Sequence, residues 1–165
     1  MSLHESLSRE FQHEAATTRR HVERLTEDKL GWRPHVKSFT AGDLAAHIVE
    51  CVGWTQSIFT ADHFDFDPAT FKPFRASSMA DLIAGFDERV AAGASALAGA
   101  ADADLFVPWR LAIKGQTRFE KPRMSVFRDF TLSHLIHHRG QLTVYLRLLD
   151  IPVPGSYGPT ADEKG

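Results

Sequence analysis

His134 and His138 are the residues of this chain best spaced to act on one ligand together. They stand four apart in SHLIHHRGQLTVYLRLL, residues 133–149, and in a helix a turn of about 100° per residue sets both rings on one face. Phe127, Phe130, Thr131, His134, His138, Gln141, Tyr145 and Leu148 or Leu149 recur at the spacing of an amphipathic helix. That face is therefore the apolar one, and both imidazoles are expected to point into the core. Each neutral ring has one donor and one acceptor to satisfy, and a divalent cation meets that need directly for two buried rings. A lone histidine on an apolar stripe is more often a hydrogen-bonded core residue. A pair at ligand spacing is half of a metal site, and a third ligand from elsewhere decides between the two readings.

His47 is the candidate third ligand. Thr40 is expected to cap a helix that runs to about residue 60, with Asp43 answering in a capping-box arrangement and alanines favouring propagation. Its inward positions are Leu44, His47, Ile48, Cys51, Trp54 or Thr55, and Ile58. Alone, His47 would read as a core histidine bonded to a carbonyl; with the 134/138 pair across a helical core, the ligand reading is favoured. Cys51 lies one turn further on the same face, where it is either a fourth ligand or reactive thiol, or a buried cysteine that behaves as a small apolar residue. Glu50, three residues from His47, could orient the ring, but a solvated helix position is the plainer reading.

The scaffold around these residues is read from the rest of the pattern. Leu3, Leu7, Phe11, Ala15, Val22 and Leu25 predict a first helix over residues 3 to about 25, with His13 and His21 at the edge of its stripe and facing solvent. Gly31 and Pro34 interrupt the pattern, and Trp32 is expected to anchor that loop to the core. Residues 61–77 read as an extended connection; Asp62, His63, Asp65 and Asp67 within it lack the glycine and closing glutamate of a calcium loop. Ser78 caps a third helix, residues 79 to about 99, with Leu82, Ile83, Phe86, Val90, Ala94 and Leu97 inward. A second connection, 101–122, could hold a short hairpin around Lys114 and Gly115. The fourth helix is expected from about Ser125 to Asp150, followed by a tail that Pro152, Pro154 and Pro159 keep non-helical and in which Tyr157 tucks back on the protein. The expected fold is all-α, a four-helix bundle with long crossover connections, and at 165 residues without repeats one domain spans 1–165.

Charge and composition exclude some partners. With 19 basic and 21 acidic side chains, net −2, and no basic block, nucleic acid is not an expected partner. No run approaches the ~20 apolar residues that cross a bilayer, and MSLHESLSREF lacks the apolar centre of a signal peptide, so a cytoplasmic protein is expected. The single cysteine, Cys51, forbids an internal disulfide.

WRP at 32–34, LAAHIVE at 44–50, HLIHHRGQLTVYLRLL at 134–149 and VPGSYGPTADE at 153–163 together resemble the DinB/YfiT-like superfamily over nearly the whole chain. The resemblance implies a metal-dependent four-helix bundle whose metal is held by one histidine of the second helix and two of the fourth, matching His47, His134 and His138. It also implies a homodimer, and an activity within a range that includes thiol transferases, isomerases and proteins of no known activity. His137, next to His138, would then flank the pocket, with Cys51, Trp54, Gln141 and Tyr145 as orienting or substrate-contacting residues. Arg139 is expected to point away from the core, and Gly140 to allow close approach of another element.

Three imidazoles leave a divalent ion with open positions, at which a water or a thiol could be activated. Imidazole ligation suits Zn²⁺, Ni²⁺, Cu²⁺ and Fe²⁺ alike; Zn or Ni are the leading candidates, with Fe or Mn behind them. The leading reading is a metal-dependent enzyme, thiol-transferase-like or hydrolase-like, acting on a small molecule such as a low-molecular-weight thiol, with the general base unassigned. Its rivals are a non-catalytic metal-binding or stress-response protein, and a protein whose histidines are purely structural.

Overall fold

A computed structural model describes residues 2–164; the two end positions of the expected 1–165 domain lie outside the described residues. Helix α1, Leu3–Val22, starts at a capping box in which the Ser2 side chain accepts from the Glu5 N–H and the Ser2 N–H donates to Glu5 at 2.8 Å. It stops three residues before Leu25, which is buried in the following turn. Helix α2, Ala41–Thr60, begins where the Thr40 hydroxyl oxygen accepts from the Asp43 N–H at 3.0 Å. Asp43 answers through that same hydroxyl, at 2.8 Å, and not through the backbone of residue 40. Ser78 caps α3, Met79–Ala98, through the Asp81 N–H.

The expected fourth helix is interrupted. It runs as α4, Arg123–Phe127, a π-helical turn over Arg128–Ser133, and α5, His134–Leu148. A π turn inserts extra residues into the helical repeat and resets the rotational phase of the helix beyond it. That shift explains why Leu148 and Gln141 of the expected apolar stripe lie exposed, while Leu135, Leu142 and Leu146 are buried. α2 packs on α3 and α5, and α1 on α3 and α5. At the closest approach of α3, a Cβ on Gly93 would come within 2.9 Å of Thr55 and 3.1 Å of Phe11, so only glycine fits there.

The fold is mostly helical, but a three-stranded sheet corrects the all-α expectation. The connection after α2 contains β1, His63–Phe66, which pairs in parallel with β2, Pro108–Ile113; β2 pairs antiparallel with β3, Gln116–Pro122, in the order β1-β2-β3. The hairpin turn falls at Lys114 and Gly115, with φ of 50° and 74°. β1 is only four residues long and its pairing begins with Arg110 opposite His63, so no local pattern announces it. Trp109 of β2, fully buried, faces Trp54 of α2 edge-on at 6.3 Å, and this contact seats the sheet on the helices.

Other expectations are also corrected. His21 is fully buried: its Nδ1 meets the Thr17 carbonyl at 2.8 Å and its Nε2 the Ser156 hydroxyl at 3.3 Å. His13 is exposed, as expected. Arg139, expected in solvent, is 2% exposed and paired with Glu14 at 2.7 Å. It lies about 100° round the helix from His138, which turns it toward α1; there Thr18 and the Tyr157 hydroxyl accept its remaining donors at 3.2 and 2.6 Å. Tyr157 is thus tied back by its hydroxyl, although most of its ring is exposed. Gly140 is exposed, and a Cβ there would meet nothing within 4 Å, so no element approaches it.

Candidate metal centre

α2 and α5 bring His47, Cys51, His134 and His138 together: one potential ligand atom of each lies within 4.8 Å of the other three. The Nε2 atoms of His47 and His134 are 3.3 Å apart. Ring centroids of His47 and His138 are 4.6 Å apart, and those of His134 and His138 4.7 Å.

The outer nitrogens of His47 and His138 are committed elsewhere, and this defines their tautomers. His47 Nδ1 lies 3.0 Å from Glu50 Oε2; an ionised carboxylate only accepts, so Nδ1 carries the proton and Nε2 presents a lone pair. Gln141 sits between two rings, its Nε2 3.1 Å from His137 Nε2 and its Oε1 2.7 Å from His138 Nδ1. With the amide nitrogen donating to His137, the oxygen accepts from His138 Nδ1–H, leaving the His138 Nε2 lone pair free. His134 turns its own Nε2 toward His47, and either tautomer of its ring is compatible with that contact. The arrangement leaves the inner nitrogens of His47 and His138 as lone pairs beside His134, with carboxylate and amide acceptors behind them, the supporting pattern characteristic of metal-ligating histidines.

Electrostatics disfavour a proton as the shared cation. Burial, reinforced by His47, lowers the pKa of His134; burial pushes His138 down to about 4, against the opposing hydrogen bond to Gln141. Burial would raise the Glu50 carboxyl, but hydrogen bonds from His47 and from the Phe74 N–H, at 2.8 Å, hold it below the ordinary range. Cys51 is fully buried, and burial followed by the nearby Glu50 charge pushes its thiol up to about 12. Among the four, it is the donor that must lose a proton to ligate.

Glu50 is the residue that sequence reasoning undervalued; its position three residues after His47 was the available signal. Trp54 is half-buried, edge-on to Phe64 at 5.0 Å and to Phe130 at 5.7 Å. Tyr145 is nearly buried and its hydroxyl donates to the Phe39 carbonyl at 3.0 Å, fastening the loop before α2. Trp32 packs edge-on against the Tyr145 ring at 5.6 Å, anchoring its loop as expected. His137 is exposed and stays outside the cluster. A cavity of about 440 Å³ adjoins His47 and His134 beneath β1, and a second groove of about 410 Å³ reaches His138 and Gln141 from the other side.

The profile of the DinB family matches residues 1–164. The chain belongs to the DinB family. This DinB-family chain is 28% identical over 157 residues, 93% of its length and 87% of the relative's, to the uncharacterized protein YrdA of Bacillus subtilis strain 168. Among solved structures it is similar to a DinB-like protein of Bacillus cereus, at 25% identity and a TM-score of 0.68, covering 88% of this chain and 92% of that one. The fold is also that of the DinB-like protein YjoA of Bacillus subtilis, at 15% identity and a TM-score of 0.72, covering 97% and 99%. No described helix is long and apolar enough to cross a membrane.

Proposed function

We propose that this DinB-family protein is a metal-dependent enzyme whose divalent cation is held by His47, His134 and His138. One observation carries the reading: a potential ligand atom of each of these histidines, and of Cys51, lies within 4.8 Å of the others, with the Nε2 atoms of His47 and His134 3.3 Å apart. Burial works against a charged imidazolium at His134, so the rings meet as neutral groups, the form in which imidazoles ligate a metal. The donor set therefore fits a metal ion. All-imidazole ligation suits Zn or Ni, with Fe or Mn as further candidates. When bound, such a cation lowers the pKa of a thiol or a water brought to it, which is the chemistry of a thiol-transferase-like or hydrolase-like enzyme.

The chain's own residues supply the rest. Glu50 and Gln141 hold the His47 and His138 rings in the ligating tautomer. Both Glu50 oxygens are engaged, by His47 and by the Phe74 N–H, so it orients the ring and is not a free base. Trp54, Phe64 and Phe130 border the cavity beside His47 and His134 and keep it apolar, so charges there interact more strongly than in water.

A second reading is favoured by Cys51. A set of three histidines and one thiolate would close a tetrahedral sphere, as in structural sites, and would make this a non-catalytic metal-binding or stress-response protein. The cavity at the cluster weighs for the open site. Metal content after loading with Zn, Ni, Fe or Mn, measured on the parent and on Cys51→Ala, separates the two when paired with an assay of thiol transfer to electrophiles and of ester hydrolysis. One metal per chain in both proteins, with turnover, supports the enzyme; metal lost in Cys51→Ala, with no turnover, supports the closed site. A cytoplasmic homodimer completes the proposal; exposed Val144 and Leu148 on the outer face of α5 support a self-association surface.

A further inference from the structure

The cavity beside His47 and His134 has a chemical character of its own. Trp54, Phe64, Phe71 and Phe130 line it, and two cations, Arg89 and Lys72, share the lining. The rings meet edge-on, Trp54 against Phe64 at 5.0 Å and Phe64 against Phe71 at 6.3 Å, which leaves flat apolar walls. Among the described residues no carboxylate pairs with Arg89 or Lys72, and the one acid in the lining, Glu50, is engaged by His47 and the Phe74 N–H.

Arg89 is held in place without being neutralised. Its guanidinium stacks over Phe74 at 4.5 Å, and one Nη1–H donates to the Gly85 carbonyl at 3.1 Å; its other N–H groups have no protein acceptor among the described residues. Two glycines make room for it. A Cβ on Gly53 would come within 3.1 Å of the Arg89 Cδ, and a Cβ on Gly85 within 2.6 Å of Phe74, the ring on which Arg89 rests. A half-buried guanidinium, stacked and with donors to spare, is the arrangement that recognises a planar carboxylate.

We infer that this cavity binds an organic carboxylate with an aromatic or branched apolar body, its charged end on Arg89 and its other end beside His47 and His134. That this is the substrate cavity rests on the metal reading above; the carboxylate preference itself does not. Arg89 packs against Gly53 of α2, the helix that also carries His47, so the cation and the histidines border one cavity. Lys72, exposed at the rim, adds a second positive charge that draws anions in.

Calorimetric titration with phenylbutyrate, phenylbutylamine and phenylbutanol tests the assignment on the full chain. The carboxylate is expected to bind about tenfold or more tighter than the alcohol or the amine, the range of one charge-assisted pair. Arg89→Gln is expected to abolish that preference while leaving the alcohol unchanged, and Arg89→Lys to restore part of it. Equal binding of the three compounds, no binding, or a preference that survives in Arg89→Gln overturns the inference. The comparison within the unmutated protein stands even if a variant fails to fold. Metal content of the same samples keeps the two claims apart: metal retained without a carboxylate preference overturns this inference alone, and a preference in protein that binds no metal supports it while overturning the metal reading.

Discussion

Glu50 Oε2 accepts the Nδ1 proton of His47 over 3.0 Å, and this contact decides which nitrogen His47 turns toward His134. Acceptors of this kind raise ligand basicity and fix ring orientation, and their loss costs about 10–100-fold in metal affinity. Glu50→Ala is expected to weaken metal binding by that range in a competition titration, and Glu50→Gln, which keeps an acceptor, by less. Unchanged affinity in Glu50→Ala would remove the orienting role.

The three histidines are expected to behave as one unit. His47→Ala, His134→Ala and His138→Ala should each lose bound metal and the thermal stabilisation that metal confers, about 2.7 kcal/mol at a metal concentration one hundred times Kd. His137→Ala, outside the cluster, should retain both. Thermal unfolding with and without added metal reads this directly. Idiosyncratic effects unrelated to metal would identify the histidines as ordinary core residues.

The Glu14 and Arg139 pair is buried on both sides, at 6% and 2% exposure. Removing one partner strands a charge, which typically costs about 3–5 kcal/mol, whereas replacing both by apolar residues of similar size costs far less. Arg139→Met and Glu14→Leu are each expected to lower the urea midpoint strongly, and the double variant to recover much of the loss. Additive losses would show that the pair is not coupled.

His21 supplies a pH dependence away from the histidine cluster. Burial lowers its pKa from the ordinary 6.5, against the opposing Thr17 carbonyl bond. The folded protein therefore binds fewer protons than the unfolded chain between the lowered value and 6.5. Its contribution is fully present above 6.5, declines as pH falls below that, and levels off beneath the lowered folded value. Every pH unit that separates the folded from the unfolded pKa is worth about 1.4 kcal/mol. Urea unfolding across this window should lose its His21 component in His21→Gln; identical pH profiles for the two proteins would contradict the assignment.

The helices were legible because each carries its signals locally. Ser78 and Thr40 announce helix starts, and the 47/51 and 134/138 spacings place side chains on shared faces whatever the partner. The Lys114 and Gly115 turn was legible for the same reason. The features that stayed hidden depend on distant partners. β1 exists only because Arg110 and its neighbours lie beside it, and Arg139 and His21 are buried only because Glu14 and Ser156 wait for them. The cavity escaped notice for that reason: Phe64 and Phe71 come from a connection that reads as surface until its strand is paired. The π turn left no trace in composition, and it displaced the expected stripe of α5.

That π turn has a mechanical side. By accommodating additional backbone between Phe127 and His134, it uncouples the rotational setting of the aromatic end of the rod from that of the histidine end. Phe127 can lock into the rings of Phe11 and Phe59 while His134 swings independently to meet α2. Shortening the segment 128–133 by one residue would force both ends into a common phase, and one of the two mating surfaces would have to be surrendered.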